Sequence, residues 1–160
     1  MSSDTKFYTP VKPSFNEIMI VLKLEFENVM IIDDNKKDEF RFFRVMLTYQ
    51  GEERMMWVFF DSPDFDKEKP HTCFDLGAYS NSVEIMQTIA KYFGGWLIEN
   101  DCNDNIKPYY IENNCSIDKK NSDYLYEALA KEFSYKDVEK LCKFIQENKK
   151  LITDLNFGLK

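Results

Sequence analysis

Six consecutive apolar residues, Met55-Met56-Trp57-Val58-Phe59-Phe60, constrain this chain more than any other feature of it. Successive side chains of a strand point to opposite faces, so an unbroken apolar run reads as a central strand covered on both sides. The residues before it supply a partner. Glu39–Tyr49 alternates, with Phe43, Val45, Leu47 and Tyr49 against Arg44, Met46 and Thr48, and Gln50-Gly51-Glu52 supplies the turn between the two. Phe40 and Phe42 lie out of phase with that set, which predicts a bulge near Phe42-Phe43. A shorter strand over Val29–Asp33 ends in the charged turn Asp34-Asn35-Lys36-Lys37-Asp38. Ser62–His71, with Pro63 and Pro70, reads as a loop.

Helices flank this sheet in sequence. Ser14-Phe15-Asn16-Glu17 is a capping box, in which a Ser acceptor is followed three residues on by Glu. Phe15, Ile18, Met19, Leu22, Phe26 and Val29 follow with helical spacing, which predicts a helix over about 15–28, although Ile20, Val21 and Leu24 fill other faces. A second helix starts at Asn81, with Glu84 three residues later, runs through Val83, Met86, Ile89, Ala90 and Phe93, and stops at Gly94-Gly95. Trp96–Asp101 reads as a strand and residues 102–120 as a loop. Two helices, over about 122–133 and 135–150, carry Leu125, Leu129 and Phe133, then Val138, Leu141, Cys142 and Ile145. The expected fold is therefore α+β, an antiparallel sheet of about four strands with helices packed on it, in the order α-β-β-β-α-β-α-α. All 160 residues are read as a single domain, with residues 1–13 as an extended start and 119–160 as a helical pair.

Charge narrows the range of partners. Residues 1–118 carry a net −9 and residues 119–160 a net +2, which together make the −7 of the chain. An acidic body argues against nucleic acid, whose phosphates need clustered Lys and Arg, and favours a basic protein partner. No apolar run reaches the roughly 18 residues of a membrane span, so no membrane partner is expected. The polar start lacks a secretory core and the four cysteines, Cys73, Cys102, Cys115 and Cys142, form no C-x-x-C pair; both features predict a cytoplasmic chain with reduced thiols. His71 and Cys73 with Cys102 and Cys115 lack the two close ligand pairs of a zinc site.

Catalytic motifs are missing. The chain has one histidine, His71, and shows no nucleophile elbow, no phosphate loop and no G-x-G-x-x-G. Asp101, Asn103, Asn105 and Glu112 fall at positions 1, 3, 5 and 12 of a calcium loop. The position that requires Gly is Ile106, however, so no metal and no cofactor are expected. Two acidic loops remain as a candidate partner-binding surface, Asp61, Asp64 and Asp66 in one and Glu99, Asp101 and Asp104 in the other, with Trp96, Tyr109 and Tyr110 beside the second. Carboxylates steer a basic partner and aromatic rings anchor it. The three arginines, Arg41, Arg44 and Arg54, lie on the hairpin, where cross-strand pairing with Glu39, Glu52 and Glu53 is the ordinary arrangement.

The block from Asp75 to Tyr110, with Asn81-Ser82-Val83-Glu84-Ile85, Phe93-Gly94-Gly95-Trp96 and Asn100-Asp101-Cys102-Asn103-Asp104, resembles the small acidic immunity proteins of bacterial polymorphic-toxin and contact-dependent inhibition systems. The resemblance implies a non-enzymatic inhibitor that occludes a basic toxin domain. A phage or mobile-element inhibitor of a host defence protein is an alternative with the same physics. A metal-dependent hydrolase built on the Asp101 region is a third reading, disfavoured by the shortage of histidine.

Overall fold

A computed structural model describes residues 3–34 and 42–115. The expected helical pair at 119–160, the turn at 34–38 beyond Asp34, and Arg41 lie outside the described residues. The elements run β1 (Asp4–Thr9), α1 (Phe15–Glu25), β2 (Glu27–Asp34), β3 (Phe42–Tyr49), β4 (Glu52–Ser62), β5 (His71–Gly77), α2 (Ser82–Phe93), β6 (Gly95–Ile98) and β7 (Tyr109–Ile111). The seven strands form one antiparallel sheet in the order β2-β3-β4-β5-β1-β6-β7. The expectation of about four strands in the order α-β-β-β-α-β-α-α is thus overturned.

The three unforeseen strands share a cause. β1 holds Asp4-Thr5-Lys6-Phe7-Tyr8-Thr9, a polar run that reads as an extended start, yet it lies between β5 and β6. β5 follows a proline-bounded loop, and β7 is three residues inside a loop-like segment. Each forms through partners distant in sequence. Lys6 pairs with both Asp75 and Ile98, and Tyr8 with both Cys73 and Trp96. Helix α1 then carries the chain from the inner strand β1 to the edge strand β2, while α2 connects β5 to β6 past β1.

Local chemistry sets several boundaries. The Ser14 cap forms as expected: its hydroxyl accepts from the Glu17 N–H at 3.1 Å, and the Glu17 carboxylate accepts from the Ser14 N–H at 3.1 Å. Ser14→Ala is expected to lower stability by about 1 kcal/mol in urea denaturation, the usual value of an N-cap; a loss below about 0.3 kcal/mol would show the cap to be dispensable. α1 ends at Glu25 rather than 28, because Phe26 turns extended and packs its buried ring against Tyr49 at 5.9 Å. Asn81 does not cap α2 with its side chain; its Oδ1 instead accepts from Arg54 Nε at 3.1 Å. Ser82 takes over the turn, accepting from the Tyr79 N–H and donating to the Gly77 carbonyl. The β3–β4 register runs without a break from Phe42, so the bulge expected there is absent. The irregularities fall in β2, between Glu27 and Met30 and again between Ile31 and Asp33, and in β4 between Phe59 and Ser62. Bulges twist an edge strand away from further pairing, which suits β2.

Both helices pack on the sheet face made by Phe7, Phe43, Val45, Leu47, Met56, Val58, Phe74, Leu76 and Leu97, all buried. In α1 the run Ile18–Lys23 is buried throughout, which explains why its apolar residues fill more than one helical face. No helix among the described residues packs on the opposite sheet face. Met55, Trp57 and Phe59 remain partly exposed, so the expectation that β4 is covered on both sides fails for its second face.

Candidate functional site on the open face of the sheet

Strand alternation places three rows of side chains across this open face. The first is Met30, Met46 and Met55, continued by Gly77 and Asp4. The second is Arg44, Trp57, Asp75, Lys6 and Ile98. The third runs across six strands as Phe42, Phe59, Cys73, Tyr8, Trp96 and Tyr110. Two aromatic clusters result. Phe42, Trp57 and Phe59 stack at 5.3 to 5.9 Å, with the Arg44 guanidinium 5.1 Å from the Trp57 ring. In the second cluster Phe65, from the β4–β5 loop, lies 5.3 Å from Tyr8, 5.3 Å from His71 and 5.9 Å from Trp96; Tyr110 meets Trp96 edge-on at 5.4 Å. Trp96 is 37% and Tyr110 50% exposed, values that leave real apolar area to bury.

The middle row is charged and crosslinks the strands. Asp101 accepts the Asp4 N–H at 2.8 Å, its own N–H donates to the Asp4 carbonyl at 3.0 Å, and its second oxygen lies 3.1 Å from Lys6 Nζ. Lys6 also stands 3.9 Å from Asp75. Burial opposes ionisation of Asp101, but the Asp4 N–H, Lys6 and Cys102 outweigh it and hold the carboxyl below its usual range. Burial likewise works against the Lys6 charge, and the Asp101 hydrogen bond with the Asp75 and Asp101 charges overcomes it, so Lys6 is raised. Asp75 goes the other way: burial, then the hydrogen bond and charge of Asp4, push it up to about 7 against the pull of Lys6.

The two expected acidic loops do not form one surface. The 61–68 loop follows β4 near the Thr9 end of β1, whereas Asp101 is bound to Asp4 at the other end. Six residues of strand put these ends about 17 Å apart. Asp61 pairs with Lys12 at 2.7 Å, and Asp66 accepts the Glu68 and Lys69 N–H groups in a turn. Asp64 lies close enough to raise the pKa values of Tyr8 and Cys73. Asp104 is exposed. Tyr109 and Tyr110 point to opposite faces. Tyr109 packs against the core, donates to Glu99 at 2.7 Å and accepts from Gln87 at 3.2 Å, so it and Glu99 belong to the helix side. Trp96, Tyr110 and Asp64 are brought together on the open face with Phe65, which the 62–71 loop presents, and with four residues that the sequence reading missed as site residues: Tyr8, Phe42, Trp57 and Phe59. The alternation of Met55, Trp57 and Phe59 was the available signal for two of these, Trp57 and Phe59.

Metal chemistry finds no constellation here. Asn100 and Asn103 spend their side-chain oxygens on the N–H groups of Cys102 and Asn105, and Asp101 is engaged as described. Among the described residues no three metal-ligating side chains converge. His71 is buried, with its Nδ1 donating to the Lys69 carbonyl at 2.6 Å. Cys73 is buried two residues along the same strand, and burial pushes its thiol up to about 12; Cys102 lies in the turn after β6 and Cys115 in the segment after β7. No helix among the described residues is long and apolar enough to cross a membrane. Comparison with protein-family models, with curated proteins and with solved structures found no match to this chain.

Proposed function

We propose that this protein is a non-enzymatic binding module that docks a basic protein on the open face of its sheet, in the manner of an immunity protein occluding a toxin domain. One observation carries this reading: a sheet face seven strands wide bears Phe42, Trp57, Phe59, Phe65, Trp96 and Tyr110 with no helix among the described residues packed over it. Contiguous exposed apolar surface marks interaction sites, and aromatic side chains dominate the energy of such interfaces. The acidic body supplies long-range attraction for a basic partner. A mobile-element inhibitor of a host defence protein would use the same surface against a different target.

The test is to capture partners from the native host with the full chain and measure binding of the captured protein by interferometry. Trp96→Ala with Tyr110→Ala should raise the dissociation rate at least tenfold, because both rings are exposed and their loss leaves the core intact. Ile106→Ala, exposed in the 99–108 loop, is the control and should bind as the parent does. A captured protein that is acidic, or binding unaffected by the double change, would overturn the reading. If instead the full chain self-associates in sedimentation and the double variant is monomeric, the face belongs to a second copy.

A further inference from the structure

The open face is not flat. Between β4 and β5 it contains a recess of about 370 Å³ lined by Asp4, Met55, Trp57, Phe59, Asp75, Gly77 and Tyr79. Its origin is a missing side chain. In the first row Gly77 stands between Met55 and Asp4 and contributes nothing above the backbone, while Tyr79 arrives from the β5–α2 turn and leans over it; a Cβ on Gly77 would sit 3.5 Å from the Tyr79 ring. The volume lies at the low end of the roughly 300–1,000 Å³ of ligand pockets, enough for one side chain or a small organic ion. The walls are aromatic and thioether, and its acidic groups are the carboxyls of Asp4 and Asp75.

We propose that this recess receives a guanidinium group, the side chain of an arginine on the basic partner. This rests on the reading of the open face as a docking surface and names the residue type it takes. Two features of the recess select a planar cation. Its aromatic walls favour cations over their faces, and the molecule already uses these rings so: Arg54 lies 4.2 Å over Tyr79 and Arg44 5.1 Å from Trp57. Its carboxylates, Asp4 and Asp75, offer acceptors to a donor fork, and Lys6 directs its closer contact to Asp101 (3.1 Å) rather than to Asp75 (3.9 Å). An anionic ligand would be repelled by Asp4 and Asp75, and a purely apolar one would desolvate that pair without adding a hydrogen bond.

The recess can be tested without the partner. In a Trp96→Phe background, which leaves Trp57 as the sole tryptophan, arginine amide should change Trp57 fluorescence saturably in the millimolar range. Citrulline amide, of the same shape but with a neutral ureido group in place of the guanidinium, should bind at least tenfold more weakly. Asp4→Asn should weaken arginine amide binding about tenfold, and Gly77→Val should abolish it by filling the floor. Should Gly77→Val unfold, as its melting curve would show, Asp4→Asn decides alone. Equal responses to the two amides, or an Asp4→Asn variant that binds as its parent, would overturn the recess as an arginine receptor while leaving the docking face standing. Selective arginine amide binding combined with unaltered partner binding by Trp96→Ala/Tyr110→Ala would instead defeat the docking reading.

Discussion

Gly95→Ala is expected to destabilise the protein by about 3 to 5 kcal/mol, more than the same change at any other glycine among the described residues. Gly95 opens β6 at φ +154°, and a Cβ there would lie 2.3 Å from the Tyr8 carbonyl oxygen, 2.9 Å from the Phe7 ring and 2.9 Å from the Thr9 Cα. Two of those atoms are backbone of β1, which is held on its other side by β5, so neither can swing away. Overpacking of this kind costs roughly 1–3 kcal/mol, and a non-glycine residue at such a φ roughly 1–3 more. Against a total stability of about 5–15 kcal/mol this is a large share. Gly51, at φ +80° in the β3–β4 turn with nothing within 4 Å, is the control: Gly51→Ala carries strain without collision and should cost about 1 kcal/mol. Urea denaturation of both variants decides the matter. Equal losses at the two positions would mean that β6 moves aside freely, and that the contact with β1 does not hold Trp96 in place.

Stability should fall as pH rises from about 4 to about 7, and Asp75→Asn should abolish most of that fall. Asp75 is raised to about 7 in the folded protein, by burial first and then by Asp4, against 3.8 as its ordinary value. Between these two pH values the folded chain keeps a proton that the unfolded chain releases, so ionisation destabilises the fold progressively, and fully above about pH 7. Asp101 acts in the opposite sense. Its carboxyl is held low, so its contribution is present above the ordinary carboxylate range and is lost as pH falls below it. The two together place maximal stability on the acid side of neutrality. With the Asp75 side chain 18% exposed, solvent screening reduces the full shift to a change on the order of 2 kcal/mol. Melting temperatures of parent and Asp75→Asn from pH 4 to pH 8 test this. Parallel profiles would show that Asp75 ionises without cost, and that the Lys6 pairing outweighs burial.

What the amino-acid sequence determined by itself was local. Ser14 and Glu17 cap α1 because a hydroxyl and a carboxylate three residues apart reach each other's N–H groups whatever surrounds them. The Gln50-Gly51 turn forms with φ +52° and +80°, the conformation that joins two twisted strands across two residues, and glycine takes it readily. The amphipathic run of α2 and its stop at Gly94 were legible for the same reason. Tertiary structure decided everything that depends on distant pairing. β1 has too few apolar residues to declare itself, and becomes an inner strand only because β5 and β6 offer it hydrogen-bonding edges about 70 and 90 positions away. Phe26 fits the helix in spacing and leaves it because Tyr49 gives its ring a better contact. The candidate site follows the same division. Trp96 and Tyr110 were visible as aromatic residues near acidic ones, but register alone put them on one face with Tyr8, Trp57 and Phe59, sent Tyr109 and Glu99 to the other side, and separated the two acidic loops by the length of a strand. Side-chain direction in a sheet has a period of two, so one residue of register decides whether a ring enters the core or meets a partner.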